Sequence, residues 1–160
     1  MSGHSILYLG RGEFAADYLS ELETLPCCTL LSRRNSLELP EDASYVVDLV
    51  LLEAGPLINE SGRSLAELIQ SLEPYPVVAL TRKEHEHRGI AAVRAGAQGY
   101  ICVDDVTVDR QDAVFDHAVK RGRMQRRLSE TDVTVLSILK NINDGVIVVD
   151  SAGHVLDINP

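Results

Sequence analysis

The sequence predicts an α/β protein: a doubly wound, five-stranded parallel sheet, followed by a connector helix and a truncated β-hairpin. Three observations predict it. Five short, nearly continuous apolar runs recur at residues 5–9, 27–31, 46–52, 76–80 and 100–103, as expected of strands buried on both faces. Stretches with helical spacing of apolar side chains separate them. Gly and Pro punctuate the joins.

Ser5-Ile6-Leu7-Tyr8-Leu9 ends at Gly10 and reads as a buried strand. Residues 13–23 follow, with Phe14, Leu19 and Leu22 on one helical face, and Pro26 stops that helix. Cys27-Cys28-Thr29-Leu30-Leu31 reads as the second strand, the two cysteines as a buried pair. The polar stretch 32–44 carries Pro40, so any helix there is short or irregular. Residues 46–52 are the most strand-like of all. Leu65, Leu68, Ile69 and Leu72 fall at i, i+3, i+4 and i+7 and mark an amphipathic helix. After the strand at 76–80, a helix is expected over 84–95, with Gly96 as its C-cap signal. A last helix starts near Arg110, beyond the strand at 100–103.

Near Leu128 the texture changes. Leu128, Val135 and Ile142 sit at heptad spacing, with Thr131 and Ile138 between them, as in a coiled-coil connector. Val146–Asp150 and Val155–Ile158, joined by Ser151-Ala152-Gly153-His154, read as a hairpin. The expected division is therefore 1–127, 128–142 and 143–160, with most of a further domain expected beyond Pro160.

Composition narrows the function classes. Of 160 residues, 15 are basic and 24 acidic, a formal net charge of −9, which argues against a general nucleic-acid binder. No apolar run approaches the roughly 20 residues of a membrane helix, and no signal peptide opens the chain, so a cytoplasmic, soluble protein is expected. Three cysteines in no metal-ligand spacing point to neither a disulfide scaffold nor a zinc module. Twelve of the 15 basic residues are Arg, which hints at a high-GC or salt-adapted source.

The string Asp48-Leu49-Val50-Leu51-Leu52-Glu53 resembles the third strand of response-regulator receiver domains. The resemblance continues through Pro76-Val77-Val78-Ala79-Leu80-Thr81 and Ala92-Val93-Arg94-Ala95-Gly96-Ala97-Gln98-Gly99-Tyr100-Ile101, and covers residues 5–125. It implies a flavodoxin-like (β/α)5 fold. Residues 136–160, ending Asn141-Ile142-Asn143-Asp144-Gly145 through Asn159-Pro160, are similar to the opening of a PAS domain. Receiver followed by PAS implies the front of a multidomain sensor such as a hybrid histidine kinase, though no kinase residue lies in this chain.

Receiver chemistry places a phosphoryl group on an Asp beside a Mg²⁺ ion held by acidic oxygens, with a Lys and a hydroxyl on the phosphate. The resemblance puts Gly10-Arg11 where the family has its acid pair, Glu53 at the phosphoacceptor and Val103 at the Lys. Asp104 replaces the Pro after that Lys, and Pro56 comes one residue early. The hydroxyl, Thr81, and the aromatic switch position, Tyr100, remain. This implies a pseudo-receiver without catalytic, metal or cofactor function. Glu53 reaches one methylene, roughly 1.5 Å, beyond an Asp, and Arg11 is a candidate partner in place of metal and Lys. Thr81 as a mere loop cap and Tyr100 as a mere edge filler are the plainer readings. The expected role is signal transmission to a protein partner or to the chain's own downstream PAS and kinase domains. A homodimer is expected through the family's usual face of fourth helix, fifth strand and last helix.

One competing signal belongs to another class. Gly10-Arg11-Gly12-Glu13-Phe14-Ala15 matches G-x-G-x-x-A between a strand and a helix, the setting of a dinucleotide loop. Arg33 and Arg34, after the second strand, would meet a 2′-phosphate. Against this, Glu13 in the first turn repels phosphate. His85 and His87 diverge by about 200° on a helix and read as solvated. Lys120, Arg121, Arg123, Arg126 and Arg127 spread around their helix and read as an exposed surface for acidic partners.

Overall fold

A computed structural model describes residues 3–12, 15–34, 37, 39, 46–55, 58–59, 61–141, 147–149 and 155–158, with backbone alone at 32–34 and beyond 128. In chain order these form β1 (His4–Leu9), α1 (Ala16–Thr24), β2 (Cys28–Arg34), β3 (Leu49–Glu53) and α2 (Leu65–Ser71). Then come β4 (Val77–Thr81), a 3₁₀ turn (Lys83–His85), α3 (Glu86–Arg94), β5 (Gly99–Cys102), α4 (Val108–Asn141), β6 (Ile147–Val149) and β7 (Val155–Ile158). The chain divides into two compact units, Met1–Gly122 and Arg123–Pro160.

The first unit carries a five-stranded sheet in the order β2-β1-β3-β4-β5, parallel throughout. Strand side chains alternate between two apolar layers, which is why the central strands read as unbroken apolar runs. Ile6, Tyr8, Leu49, Leu51, Val78 and Leu80 face Tyr18, Leu19 and Leu22 of α1 and Phe115, Ala118 and Val119 of α4. Leu7, Leu9, Val50, Leu52, Val77 and Ala79 face Leu68 and Ile69 of α2, Leu72 at its C-cap and Ala92 of α3.

Local chemistry sets the ends. Ser64 caps α2 by accepting from the Glu67 N–H, while the Glu67 carboxylate accepts from the Ser64 N–H. Gly96, with φ 118°, follows the C-cap of α3 as expected.

Some boundaries differ from expectation. β2 begins at Cys28 and continues past its apolar run through Ser32, Arg33 and Arg34, which pair with Leu7, Tyr8 and Leu9 after a register shift. Hydrogen bonding to β1 extends the strand where side-chain character does not. β3 begins at Leu49, where pairing with Ile6 of β1 starts, and Val46 is 80% exposed. α1 begins at Ala16 and α3 at Glu86, the latter behind the 3₁₀ turn. Expected as two pieces meeting at 128, α4 is one helix: the pattern shift there changes which positions are apolar but introduces no breaker.

In the second unit β6 and β7 pair antiparallel, the expected hairpin; its 151–154 turn lies outside the described residues. Ile142 of the heptad series and the Pro56 position lie outside them as well.

Candidate functional site

In an open parallel α/β sheet, ligands meet the carboxyl ends of the strands. Here that edge carries Gly10–Gly12 after β1, Glu53 at the end of β3, Thr81 at the end of β4 and Val103 after β5.

Glu53 is 3% exposed and its surroundings account for it. Tyr8 on β1 lies opposite Leu51 of β3, so Glu53, two residues further on, shares the face of Tyr8. The Tyr8 hydroxyl donates to Glu53 Oε2. The Gly12 N–H donates to the same oxygen at 2.8 Å, and lies 3.0 Å from the Tyr8 hydroxyl oxygen. Charge-assisted bonds of this kind compensate the burial of a carboxylate.

Gly10 is the consequence. A Cβ there would lie 2.4 Å from both Cβ and Oε2 of Glu53 and 2.7 Å from the Tyr8 hydroxyl oxygen. The absent side chain leaves the room that the longer acid occupies. Gly12, with φ 72°, turns the loop so that its N–H points back at Glu53. The glycine pattern thus serves an internal carboxylate. A Gly12 N–H committed to Glu53 Oε2 argues against a pyrophosphate cradle. Arg33 and Arg34 are strand residues of β2 rather than part of a loop after it. Arg11 is exposed in the same loop.

Thr81 is fully buried, and its Oγ1 donates to the His85 carbonyl at 2.8 Å, fastening the 3₁₀ turn. The Tyr100 ring rests on Gly89, where a Cβ would come within 2.6 Å of Cδ2. Its hydroxyl donates to Glu86 Oε1 at 2.8 Å, and that acceptor raises the phenol's pKa above its ordinary value. Thr81 and Tyr100, for which a loop cap and an edge filler are the plainer readings, bond to different partners. Val103 packs against the α1–α4 layer, its N–H on the Thr81 carbonyl at 2.9 Å. The acids beyond it clamp the neighbouring loop: Asp104 Oδ2 accepts from the Lys83 N–H and Asp105 Oδ2 from Lys83 Nζ, each at 2.8 Å.

Tyr8 is the site residue that the sequence reading passes over. Its signal is a single phenol in an aliphatic strand, two residues before a glycine and beside a strand that ends in an acid. Among the other candidates, His85 and His87 stack edge to face on an exposed turn, with ring centroids 6.0 Å apart. Lys120, Arg121, Arg123 and Arg127 are exposed and Arg126 half-exposed, on α4. Cys27 and Cys28 are buried with Sγ atoms 3.8 Å apart, and burial pushes the Cys28 thiol up to about 12.

No family model and no curated protein sequence matches the chain. Solved structures match its fold. A response-regulator receiver domain protein from Clostridium thermocellum aligns with TM-score 0.51 and 18% identity, over 76% of this chain and 98% of that one. NtrX from Brucella abortus aligns with TM-score 0.54 and 18% identity over 81% of this chain but only 29% of its own length. A structure described as adenylate cyclase from Rhodopirellula baltica aligns with TM-score 0.56 and 14% identity, over 81% and 96%. The fold is receiver-like, the flavodoxin-like α/β sheet that the sequence predicts. No helix among the described residues is long and apolar enough to cross a membrane.

Gly10→Ala is expected to destabilise the protein by about 1–3 kcal/mol through overpacking against Glu53. In a Glu53→Ala background the same change costs less, and urea unfolding of the four proteins in a double-mutant cycle reads the coupling. Strict additivity would mean that Gly10 is not there to make room for Glu53.

Proposed function

We propose that residues 5–125 form a non-phosphorylatable pseudo-receiver, a module that transmits signals by protein contact within a two-component sensor protein. The observation that carries this reading is the buried Glu53 carboxylate, whose Oε2 is satisfied from inside the domain by Tyr8 and Gly12. Receiver phosphorylation requires Mg²⁺, and the residues here do not fit that ion. Gly10 and Arg11 stand in place of the acid pair, and the described metal-capable cluster of the molecule lies elsewhere, at Cys27, Cys28 and Asp112. With Val103 in the apolar layer, no Lys follows β5. Arg11 supplies the positive charge beside Glu53 in this reading, and Thr81 and Tyr100 serve the 3₁₀ turn and α3 rather than a phosphate.

Output in this proposal runs along α4, whose first turns pack on the sheet, toward a following PAS-like segment that begins with the β6–β7 hairpin. The partner surface is the α3–β5–α4 face. Ile90 and Val93 are 41% and 40% exposed there, and a shallow groove runs between Val93, Tyr100, Val114 and His117. Apolar side chains left half in water beside a groove suit a second copy of the same chain.

A thermal-shift experiment separates the alternatives, since a ligand of the native state alone raises Tm. No shift is expected with Mg²⁺ plus beryllofluoride, with NAD(P) or with ATP. The triple change Arg11→Asp, Glu53→Asp, Val103→Lys is expected to introduce a Mg²⁺-dependent beryllofluoride shift. A shift in the unaltered protein would overturn the pseudo-receiver reading, and one with a nucleotide alone would revive the Gly10–Gly12 loop as a binding site. Separately, Val93→Glu is expected to lower the sedimentation-derived mass from dimer to monomer. A monomeric unaltered protein would contradict the dimer.

A further inference from the structure

At the opposite edge of the sheet, where the strands begin, three ligand-bearing side chains converge from separate segments. Cys27 lies in the turn before β2, Cys28 opens β2 and Asp112 is in the second turn of α4. Because Cys27 precedes the strand, the alternation of a strand does not force the two thiols apart. Their Sγ atoms are 3.8 Å from each other, Cys27 Sγ is 3.4 Å from Asp112 Oδ1, and all three ligand atoms lie within 4.8 Å of one another.

We propose that Cys27, Cys28 and Asp112 bind one thiophilic divalent cation of the Zn²⁺ class. A tetrahedral Zn²⁺ with bonds of about 2.3 Å to sulfur and about 2.0 Å to oxygen separates its two sulfurs by about 3.8 Å and sulfur from oxygen by about 3.5 Å. The Cys27–Cys28 and Cys27–Asp112 separations match these two spacings. A second observation points into the same place. Tyr18 is 6% exposed, and its hydroxyl is buried without a hydrogen-bond partner. Tyr18 belongs to the same buried layer as Cys27 and Cys28. Buried hydroxyls are rarely left unsatisfied. A cation with a fourth position open gives this one a role, as a ligand or as donor to a metal-bound water.

The neighbouring His4 is committed elsewhere, 2.9 Å from Asp116 and edge-on to Phe115, so it lies outside the proposed set. Asp112 is only half-buried, which gives the ion a way in. On binding, two metal–sulfur bonds form and the two thiol protons leave to solvent, while Asp112 adds a carboxylate oxygen. The ion would tie the turn before β2 to α4, and holds whether or not the domain accepts a phosphoryl group.

The test is a titration of the reduced, metal-free chain with Co²⁺, read by thiolate-to-metal charge transfer in the near ultraviolet and by tetrahedral d–d bands in the visible. A Cys102→Ala background leaves only the two proposed thiols. Saturation at one equivalent, displacement by Zn²⁺ and a rise in Tm are expected. Cys28→Ser should lose at least half of the charge-transfer intensity. Asp112→Asn, at a half-exposed position that leaves the core intact, should retain that band while weakening affinity roughly tenfold or more. Absence of a thiolate band at one equivalent, or a band unchanged in both variants, overturns the proposal.

Discussion

A carboxylate buried at the end of a strand must find donors inside the protein or not be buried, and the carboxyl edge of this sheet is arranged around that constraint. Glu53 sits on the central strand of the sheet, on the face where Tyr8 can reach it. Once that side chain turns inward, the β1 loop has to supply a backbone N–H and give up a Cβ. Gly12 and Gly10 answer those two demands. An Asp would fall short of the same oxygen position by a methylene, so the residue, the phenol and the two glycines form one unit.

The neighbouring positions follow the same logic of internal satisfaction. The Thr81 hydroxyl spends its proton on a carbonyl four residues on, and the Tyr100 hydroxyl on Glu86 at the start of α3. Val103 adds to the apolar layer, while the acids after it hold Lys83 by backbone and side chain. Glu53, Thr81 and Tyr100 are each engaged with their own chain. That pattern is the basis for the proposal that the module transmits by contact.

Much of the fold is legible in the sequence, for a physical reason: strands buried on both faces must be apolar without interruption, and residues 49–53 and 77–81 are nearly so. The Leu65–Leu72 helix and the Gly96 stop are readable because periodicity and capping are local. What is not local is harder to read. Residues 32–34 look like a loop, yet a neighbouring strand makes them a strand. The role of Tyr8 depends on a residue 45 positions away in sequence. The proximity of Asp112 to Cys27, 85 positions apart, rests on where α4 packs. The Gly-x-Gly pattern is plain in the sequence, but its meaning depends on which group lies within reach of Gly12.

In the closed arrangement the Gly12 N–H is held by Glu53 and is not available to an incoming phosphoryl group. Amide NMR spectra of the chain, recorded during titration with Mg²⁺ and beryllofluoride, read that group directly. The prediction is that the Gly12 resonance, with those of Glu53 and Thr81, stays in place at saturating additions. Saturable displacement of Gly12 together with Thr81 would show that the pocket opens to a phosphoryl mimic, and would contradict the closed arrangement around Glu53.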